Sequence, residues 1–475
     1  MEVYALPVYK ATAPDSLLPD RHSLLEPPGH VNAAGQDGGS LTGRGGHGGM
    51  AAVIRTPGGS TIAVRILLCG AGALWVAAGG ASAAEVGVTE RKIVLGQPAA
   101  FSGPSAGLGV EMWRGAMAAF SAANEKGGLH GRHIELVLAD DAYEADKAVA
   151  AVNQLVDAKV FALFGGVGTP TIVKALPVVL EQFKKNGLFY FSNFTGAQAQ
   201  REPPYDRCTF NVRASYRQET EVMVNAFLAR GRSRIGIFVQ DDAYGQSGRD
   251  GVKRALKARG LDIAADTTYP RGQKFDVTAA PQVEQLKAAG VKAVIAVGSY
   301  QACAALIRDV RRAGLDVPIH NVSFVGADQM LQLLRQEEKR SRKNLTANLI
   351  NTQVVPSYLD DTVPLVRSYR AAMDKYKPVV PAGVGDGSYQ PSGRYSFGSL
   401  EGYLSAKAFL AVLERVPEPL TRQSFYDAAE KMGKFDIGLT VPLEFSPTRH
   451  QALDKVWFTY VTPGGWATTR TVVSK

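Results

Sequence analysis

The sequence Gly103-Pro-Ser105-Ala-Gly107 places a serine between two glycines, which is the G-x-S-x-G spacing of a nucleophile elbow. A serine hydrolase also needs a histidine and an acid that reach the serine from later strand ends. Downstream, His320 opens a predicted strand and His450 lies in a loop with proline and threonine. The residues therefore favour a tight turn, and a hydrolase that uses Ser105 is kept only as a remote alternative.

Signatures of metal and cofactor sites are weak in this sequence. His130 and His133 flank a Gly-Arg turn that has no cysteine or clustered carboxylate beside it, so surface histidines are favoured over metal ligands. Gly165-Gly-Val-Gly168 lacks the third glycine of a dinucleotide fingerprint, and no G-x-x-x-x-G-K-[ST] pattern occurs. We therefore expect no catalytic residue, no cofactor and no metal.

Small, hydroxyl and aromatic residues recur where predicted strands end. Hydroxyl groups, together with backbone N–H groups at helix N-termini, can hold a small polar molecule and favour an anionic group such as a carboxylate. Each residue alone is equally well explained as a helix cap, a turn or a core residue. Their recurrence in both halves of the chain favours a ligand cleft between two lobes. The candidate ligand contacts are Ser102, Leu108, Gly168, Thr169, Thr195, Gly196, Tyr244, Tyr300 and Phe324.

An alternation of strands and helices must position these residues. An apolar strand from Ile93 feeds a helix that closes at Asn124, and a second strand runs from Ile134 to Leu138. The alternation continues to residue 191, restarts at residue 234 and runs to residue 324. Such alternation implies parallel sheets, whose carboxyl ends bind ligands. We predict an α/β fold with two Rossmann-like lobes joined by three crossings, two of them near residues 210–212 and 354–355.

The points where the pattern restarts give the lobe boundaries. Residues 85–212 plus 356–437 are assigned to the N-terminal lobe, and residues 213–355 plus 438–475 to the C-terminal lobe. A stretch rich in glycine, proline and serine, residues 378–398, precedes a predicted helix and is too long for a simple connector. A flap and a lineage insertion both remain open for it.

The first 84 residues do not fit the fold. Residues 1–49 lack apolar periodicity, so we expect a disordered extension or a misassigned start, with Met50 as the favoured beginning. From Met50, Arg55 and Arg65 precede a short apolar run and Ala81-Ser-Ala83, an A-x-A cleavage pattern. We therefore predict a signal peptide over residues 50–84 and a periplasmic mature protein.

The distribution of charged residues indicates which kinds of partner the protein can bind. The formal net charge is +9, but the basic residues are dispersed and not interleaved with aromatic residues. This pattern favours a solvated surface, so we expect no nucleic-acid partner.

Two cysteines, Cys208 and Cys303, remain after the predicted cleavage. A disulfide between them would tie the lobes together and restrict their motion, so buried free thiols are favoured.

From about Lys92 to Trp466 the chain resembles the leucine/isoleucine/valine-binding protein family, the periplasmic solute receptors of ABC importers. The resemblance rests on the order and spacing of several short motifs. These are Ser102-Gly-Pro, Asn124-x-x-Gly-Gly-x-x-Gly-Arg, Asp140-Asp141, Gly168-Thr-Pro-Thr, Phe194-Thr-Gly-Ala, Phe210-Asn-Val-Arg, Gln240-Asp-Asp-Ala-Tyr-Gly and Arg308-x-x-Arg-x-x-Gly. The resemblance implies the type I periplasmic-binding fold.

The resemblance also implies roles for several candidate residues. Gly168/Thr169 and Thr195/Gly196 match the positions that hold the ligand carboxylate, and Tyr244 and Tyr300 match tyrosines that close over the ligand. The implied function is a non-catalytic receptor that closes on a small solute and delivers it to an ABC permease in the membrane. A ligand sensor that feeds a signalling partner is the alternative. A monomer is expected, with a dimer as the alternative.

One loop departs from the family pattern. Amino-acid-binding members carry a carboxylate there that pairs with the ligand ammonium, whereas residues 323–326 of this chain contain none. Asp328 lies one helical step too far along the sequence, and Asp241 or Asp242 could substitute only if the lobes close differently. An ammonium buried without a partner is costly. We therefore expect a carboxylate-, amide- or amino-acid-like solute, with solutes that lack an ammonium group favoured.

Overall fold

The computed structural model describes residues 9–11, 85–391 and 393–468. The predicted signal peptide, residues 50–84, and most of the predicted extension, residues 1–49, lie outside the described residues, so both stay predictions. Three residues of the extension are among the described ones. Tyr9–Ala11 form strand β1, which pairs antiparallel with the edge of the first sheet. Exposed strand edges readily accept such a partner.

The first lobe is built on a sheet that is parallel apart from β1. Its elements before the first crossing are β2 (Lys92–Ala99), α1 (Ala106–Asn124), β3 (His133–Asp140), α2 (Ala145–Asp157), β4 (Ala162–Phe164), α3 (Thr169–Asn186), β5 (Tyr190–Phe191) and β6 (Thr209–Phe210), with 3₁₀ turns at Ala199–Arg201 and Asp206–Cys208. The strand order is β1-β3-β2-β4-β5-β6. The last five residues of β2 are all buried, as expected for a parallel strand covered on both faces.

The second lobe repeats the alternation. Its elements are α4 (Tyr216–Leu228), β7 (Ile235–Gln240), α5 (Ala243–Lys257), β8 (Ala265–Tyr269), α6 (Ala280–Ala288), β9 (Ala293–Val297), α7 (Tyr300–Arg312), β10 (Ile319–Asn321), a 3₁₀ turn at Ser323–Val325, α8 (Ala327–Ser341) and β11 (Leu349–Gln353). A capping box between Ser215 and Gln218 starts α4 immediately after the first crossing. The parallel strands β8, β7, β9, β10 and β11 are neighbours in that order.

The chain then returns to the first lobe before ending in the second. The returning elements are α9 (Pro364–Tyr376), α10 (Phe397–Leu413), α11 (Arg422–Glu430) and the hairpin β12 (Gly433–Phe435) with β13 (Leu443–Phe445), followed by β14 (Trp457–Thr462) and β15 (Gly465–Thr468). The Phe445 ring lies 5.5 Å from Phe210, so the hairpin packs on the first lobe. Strand β14 pairs antiparallel with β11 in the second sheet. The third crossing therefore lies between β13 and β14, later than the predicted boundary at residue 438.

Three crossings join the lobes, as predicted. The first and third run side by side, because the Asn211 N–H donates to the His450 carbonyl at 2.6 Å and the Ala452 N–H donates to the Asn211 carbonyl at 2.8 Å. Ala214, Val354 and Val456, one from each crossing, form a small apolar cluster. The predicted α/β fold with two Rossmann-like lobes is thus confirmed.

The state of the two cysteines and the composition of the helices can be compared with the sequence predictions. Cys208 and Cys303 are buried and unbridged, as favoured from the sequence. None of the described helices combines the length and apolar composition that crossing a membrane requires.

Close packing of α1 against α10 supports the first lobe and yields a test. A Cβ atom at Gly402 would overlap the Met112 carbonyl oxygen. Replacing glycine by alanine inside a helix normally stabilises it by about 1 kcal/mol, but overpacking costs about 1–3 kcal/mol. We expect Gly402→Ala to lower the free energy of unfolding by about 2 kcal/mol in urea denaturation, since the overlap involves backbone that cannot move aside.

The matched control is Gly464→Ala, in a turn where the added methyl group would meet only the Thr462 hydroxyl, at 4.0 Å. Its free energy of unfolding should stay within about 0.5 kcal/mol of the wild type. A Gly402→Ala protein more stable than the wild type would show that the two helices do not pack this closely.

Candidate functional site

The predicted contacts gather where the two sheets face each other. Eight of the nine follow the carboxyl end of a strand, and Leu108 lies in the first turns of α1. Gly168 and Thr169 begin α3, and Thr195 and Gly196 follow β5. Tyr244, Tyr300 and Phe324 follow strands β7, β9 and β10 of the other lobe. The structure therefore brings the set to one interlobe region.

The two predicted threonines contact each other. Thr169 Oγ1 and Thr195 Oγ1 are 2.7 Å apart, and Thr195 Oγ1 lies 3.5 Å from the Tyr216 hydroxyl. Gly168 has φ +106°, and a Cβ atom there would overlap the Tyr143 ring, so this position requires glycine. The hydroxyl groups are buried and satisfied internally, and their predicted role as ligand contacts stays a prediction.

Aromatic side chains from both lobes fill the space beside these threonines. We name Tyr143, Phe194, Tyr216, Tyr244 and Phe324 the aromatic cluster. Phe194, from the first lobe, and Tyr244 each lie 5.1 Å from the Phe324 ring, and Tyr143 lies 6.3 Å from it. Burial raises the pKa of the cluster tyrosines above the usual value of 10, so they stay neutral. The cluster is an apolar contact between the lobes.

Polar contacts at the rim show that the lobes are closed. The Tyr300 hydroxyl donates to the Pro104 carbonyl of the first lobe at 3.0 Å. Arg271 of the second lobe pairs with Glu144 of the first at 2.9 Å. Ser102 lies beside this rim, in the turn after β2, where its N–H donates to the Asp140 carboxylate at 3.3 Å. The structure therefore represents the closed arrangement of a two-lobed protein.

A small cavity of about 10 Å³, the space of about one water molecule, lies between the closed lobes, and we name it the interlobe cavity. From the first lobe it is lined by Gly107, Leu108, Glu111, Phe194, Phe397, Gly398 and Glu401; from the second it is lined by Ser323, Gly326, Ala327, Asp328, Gln329 and Gln353. Leu108 is the one predicted contact in this lining, and the other eight lie outside it. Most of the polar lining residues were therefore missed from the sequence.

Three carboxylates line the interlobe cavity, although the sequence suggested that none was within reach. Glu111 pairs with Arg114 at 2.8 Å, and Glu401 pairs with Arg213 at 3.2 Å. Asp328 accepts hydrogen bonds from the Tyr358 hydroxyl at 2.7 Å and from the Phe397 N–H at 3.1 Å, and it has no cationic partner among the described residues. The expectation that Asp328 lies too far along α8 was wrong, because the helix starts directly at the cavity.

Burial changes the titration of two of these acids. It raises the pKa of Asp328 to about 6, against the lowering effect of the hydrogen bond from Tyr358. It raises the pKa of Glu401 to about 7, against the nearby charge of Arg213. Both carboxyl groups titrate close to neutral pH, so the net charge of the cavity lining depends on pH and on the charge of a bound ligand.

Gln353 is an unpartnered donor in the same lining. Its side chain is 1% exposed, and its amide nitrogen has no hydrogen-bond partner among the described residues. It is the last residue of β11, so the strand-end rule that selected the other candidates would also have selected it. A buried amide N–H without a partner is costly, so a ligand acceptor in the cavity would recover that energy.

Arg213, on the first crossing, organises the polar floor of the site. Its guanidinium donates to Glu219 at 3.0 Å, to Glu401 at 3.2 Å and to the Ser323 hydroxyl. Glu219 also accepts from the Ser323 N–H at 2.8 Å and from the Thr352 hydroxyl at 2.7 Å. We name these five residues the Arg213 ion cluster. It joins both lobes to a crossing, and no local pattern in the sequence indicates that these distant residues meet.

The described residues do not place a histidine beside Ser105, the serine of the G-x-S-x-G pattern. Ser105 is the residue before α1, and no described hydrogen bond joins its hydroxyl to a histidine. No group of three or more His, Cys, Asp or Glu side chains in the described ranges is arranged to hold a metal ion.

Two sheets that face each other, three crossings and polar side chains from both lobes around a small interlobe cavity define a two-lobed solute-binding protein. The sequence profile of the family described as periplasmic binding protein matches residues 92–466, and the chain belongs to that family. The predicted family resemblance is thus confirmed.

Similarity to known proteins supports the family membership. An amino acid binding protein of Pseudomonas aeruginosa is 27% identical over 252 residues, which cover 50% of this chain and 62% of that relative, less than two thirds of its length. A possible leucine/isoleucine/valine-binding protein from Rhodopirellula baltica SH 1 is 33% identical with a TM-score of 0.69, covering 82% of this chain and all of that one. A substrate-binding periplasmic protein from Ralstonia solanacearum is 26% identical with a TM-score of 0.68, covering 80% and 100%. All three names describe binding proteins, as expected for a non-catalytic chain.

Asp141, which positions Tyr143 in the aromatic cluster, yields a pH-dependent test. Its carboxyl oxygen accepts the Tyr143 N–H at 2.9 Å, and burial raises its pKa from 3.8 to about 8. Between these values the folded protein keeps a proton that the unfolded chain releases, so the free energy of unfolding falls as pH rises. The loss from this group is at most about 1.4 kcal/mol per pH unit. We expect Asp141→Asn, measured by urea denaturation from about pH 5 to about pH 8, to remove this part of the decline.

The control is Asp157→Asn, at the exposed end of α2, which should keep the wild-type pH dependence. An Asp141→Asn protein whose stability falls with pH as steeply as that of the wild type would contradict the assigned protonation of Asp141.

Proposed function

We propose that this chain is an extracytoplasmic solute-binding receptor that closes its two lobes on a small amino-acid-like solute and delivers it to an ABC permease. The observation that carries the proposal is the set of polar side chains that both lobes present to the interlobe cavity, which widens when the lobes open to admit a solute. A solute that contacts both lobes stabilises the closed arrangement, because it binds that arrangement more tightly than the open one.

The charges of the cavity support a zwitterionic solute. Asp328 is the cavity carboxylate without a cationic partner among the described residues, so it can pair with a ligand ammonium. Gln353 presents an amide donor that suits a ligand carboxylate or carbonyl oxygen. One anionic acceptor and one neutral donor complement the two ends of an amino acid. We therefore propose an amino acid in place of the solutes without an ammonium group that the sequence favoured.

Two further observations support the proposal. The Pseudomonas aeruginosa relative is named an amino acid binding protein, and the Rhodopirellula baltica structure carries a leucine/isoleucine/valine-binding description. Thr169 and Thr195, which the family resemblance assigns to the ligand carboxylate, lie at strand ends of the first lobe. We propose these threonines as further contacts that change partners when the solute enters.

Two parts of the proposal concern delivery to a permease and location. The resemblance to periplasmic receptors of ABC importers supports both, together with the predicted signal peptide over residues 50–84. We propose that the chain acts outside the cytoplasmic membrane and that its partner is an ABC permease.

A thermal-shift screen with matched variants tests the solute class. Leucine, valine and their analogues without the amino group would be compared, since ligands that bind the folded state raise the melting temperature. We expect an amino acid to stabilise the wild type more than its deaminated analogue. Asp328→Asn should remove this difference, and Gln353→Ala should weaken binding about tenfold through loss of a hydrogen bond to a charged group.

The control is Gln423→Ala, on the exposed face of α11, which should bind like the wild type. Because the pKa of Asp328 is raised to about 6, binding of the amino acid should also weaken as pH falls below that value. Equal stabilisation by the amino acid and its deaminated analogue in the wild type would refute the ammonium pairing.

A further inference from the structure

The loop between α9 and α10, residues 377–391 and 393–396, encloses a second cavity of about 720 Å³, which we name the loop cavity. The volume lies in the range of about 300–1,000 Å³ that is usual for small-molecule sites. Its other wall is formed by the first lobe, with Phe101, Val110, Arg114 and Met373. The interlobe cavity has a different lining, so the loop cavity is a separate space.

Hydrogen bonds hold the loop against the first lobe, so the shape of the loop cavity is determined by the fold. The buried guanidinium of Arg114 lies 3.4 Å from the carbonyl oxygens of Pro378, Gly393 and Arg394, so it holds both ends of the loop. The Asp386 carboxylate accepts the Gly103 N–H at 3.0 Å, which fastens the middle of the loop to the turn after β2.

Close backbone contact completes this fixation. Gly385 has φ +70°, and a Cβ atom there would overlap the Phe101 carbonyl oxygen. Only glycine permits the loop to approach the first lobe this closely.

Tyr389 separates the loop cavity from the interlobe cavity. Its ring lines the loop cavity, while its hydroxyl donates to Glu111 at 3.0 Å and accepts from Gln329 at 2.8 Å. Glu111 and Gln329 both line the interlobe cavity. The two cavities therefore share one wall but have separate linings.

The chemistry of the loop cavity favours an apolar molecule with one negative charge. Most of its lining residues are apolar, among them Val110, Val380 and Val384. The charges of Arg114 and Arg394 are balanced by Glu111 and Asp374. Lys377 makes no ion pair among the described residues, so the uncompensated charge of the lining basic residues is positive.

The lining acid Asp386 is ionised as well, because hydrogen bonds from Ser388 and from the Gly103 N–H hold its pKa at about 2. It is fastened to the turn after β2, whereas Lys377 is the first residue of the loop, so the positive charge of the lining lies at the Lys377 end.

We propose that the loop cavity is a second ligand site, which takes an apolar monocarboxylate with its chain against Phe101, Val110 and Val380 and its carboxylate at Lys377. The site does not depend on the proposed function of the interlobe cavity. A chain of several CH₂ groups contributes about 0.8 kcal/mol per buried group, which is enough for measurable binding.

Isothermal titration calorimetry of the full-length chain with octanoate, and with octanamide as its neutral analogue, tests the proposal. We expect saturable binding of octanoate, about threefold tighter than that of octanamide, the effect of one exposed ion pair. Lys377→Gln should make the two affinities equal. Val380→Asp, which adds a negative charge to the lining, should weaken octanoate binding by more than about tenfold. Val110→Trp should do the same by filling the space.

Matched controls separate this site from the interlobe cavity and from loss of folding. Val277→Asp makes the same substitution at an exposed valine of the second lobe and should bind octanoate like the wild type. Gln353→Ala should also retain octanoate binding, whatever it does to amino acid binding. Circular dichroism would show that each variant is folded.

Two results would overturn the proposal. One is the absence of saturable octanoate binding at millimolar concentrations. The other is octanoate binding that survives Val380→Asp in a folded protein but is lost in Gln353→Ala, which would place the octanoate in the interlobe cavity.

Discussion

The structure depends on a buried charge cluster where the first crossing enters the second lobe. Arg213, Glu219 and Glu401 are each at most 4% exposed, and the cluster combines one positive with two negative side chains. Removing such charges from water costs several kcal/mol per ion, so the cluster is stable only when its geometry and hydrogen bonds are complete. Completion requires α10 of one lobe and α4 of the other to meet at Arg213. The cluster therefore favours one relative placement of the lobes.

The functional site takes its geometry from this placement. Ser323 belongs to the Arg213 ion cluster and also lines the interlobe cavity, so the cluster fixes part of the lining. The Arg213 guanidinium also lies 5.6 Å from the rings of Phe194 and Tyr216, which belong to the aromatic cluster. Below these charges the crossings meet through small apolar residues, Ala214, Val354 and Val456. A polar network that joins both lobes, next to an apolar contact between the crossings, is suited to lobe motion.

Local patterns in the sequence were sufficient for the fold. The alternation of apolar strands with helices predicts both sheets, and the restart after residue 212 predicts the lobes, because these signals involve neighbouring residues. The same reasoning placed Gly168, Thr195 and Tyr244 correctly at strand ends. It missed the late third crossing, since the hairpin β12–β13 packs on the first lobe through aromatic contacts such as Phe445 with Phe210.

The candidate site was less predictable, because it depends on contacts between residues far apart in the chain. Glu401 reaches the cavity from α10, and Asp328 faces it because α8 begins at the cavity wall. Tyr143 enters the aromatic cluster through a left-handed backbone, with φ +62°, which no spacing rule predicts. Gln353 could have been found, since it ends a strand as the other candidates do.

The central claim is that the lobes close on a solute, and a distance between them tests it most directly. Spin labels at Lys147→Cys and Lys274→Cys, exposed residues of the two lobes, would report the distance. Cys208 and Cys303 are buried, and the third cysteine of the sequence, Cys69 in the predicted signal peptide, would be changed to serine. Pulsed electron paramagnetic resonance would be recorded with and without a mixture of amino acids. The account predicts a shorter and narrower distance distribution with the mixture, and about tenfold more of the mixture to produce it in Gln353→Ala. Identical distributions with and without amino acids in the wild type would contradict it.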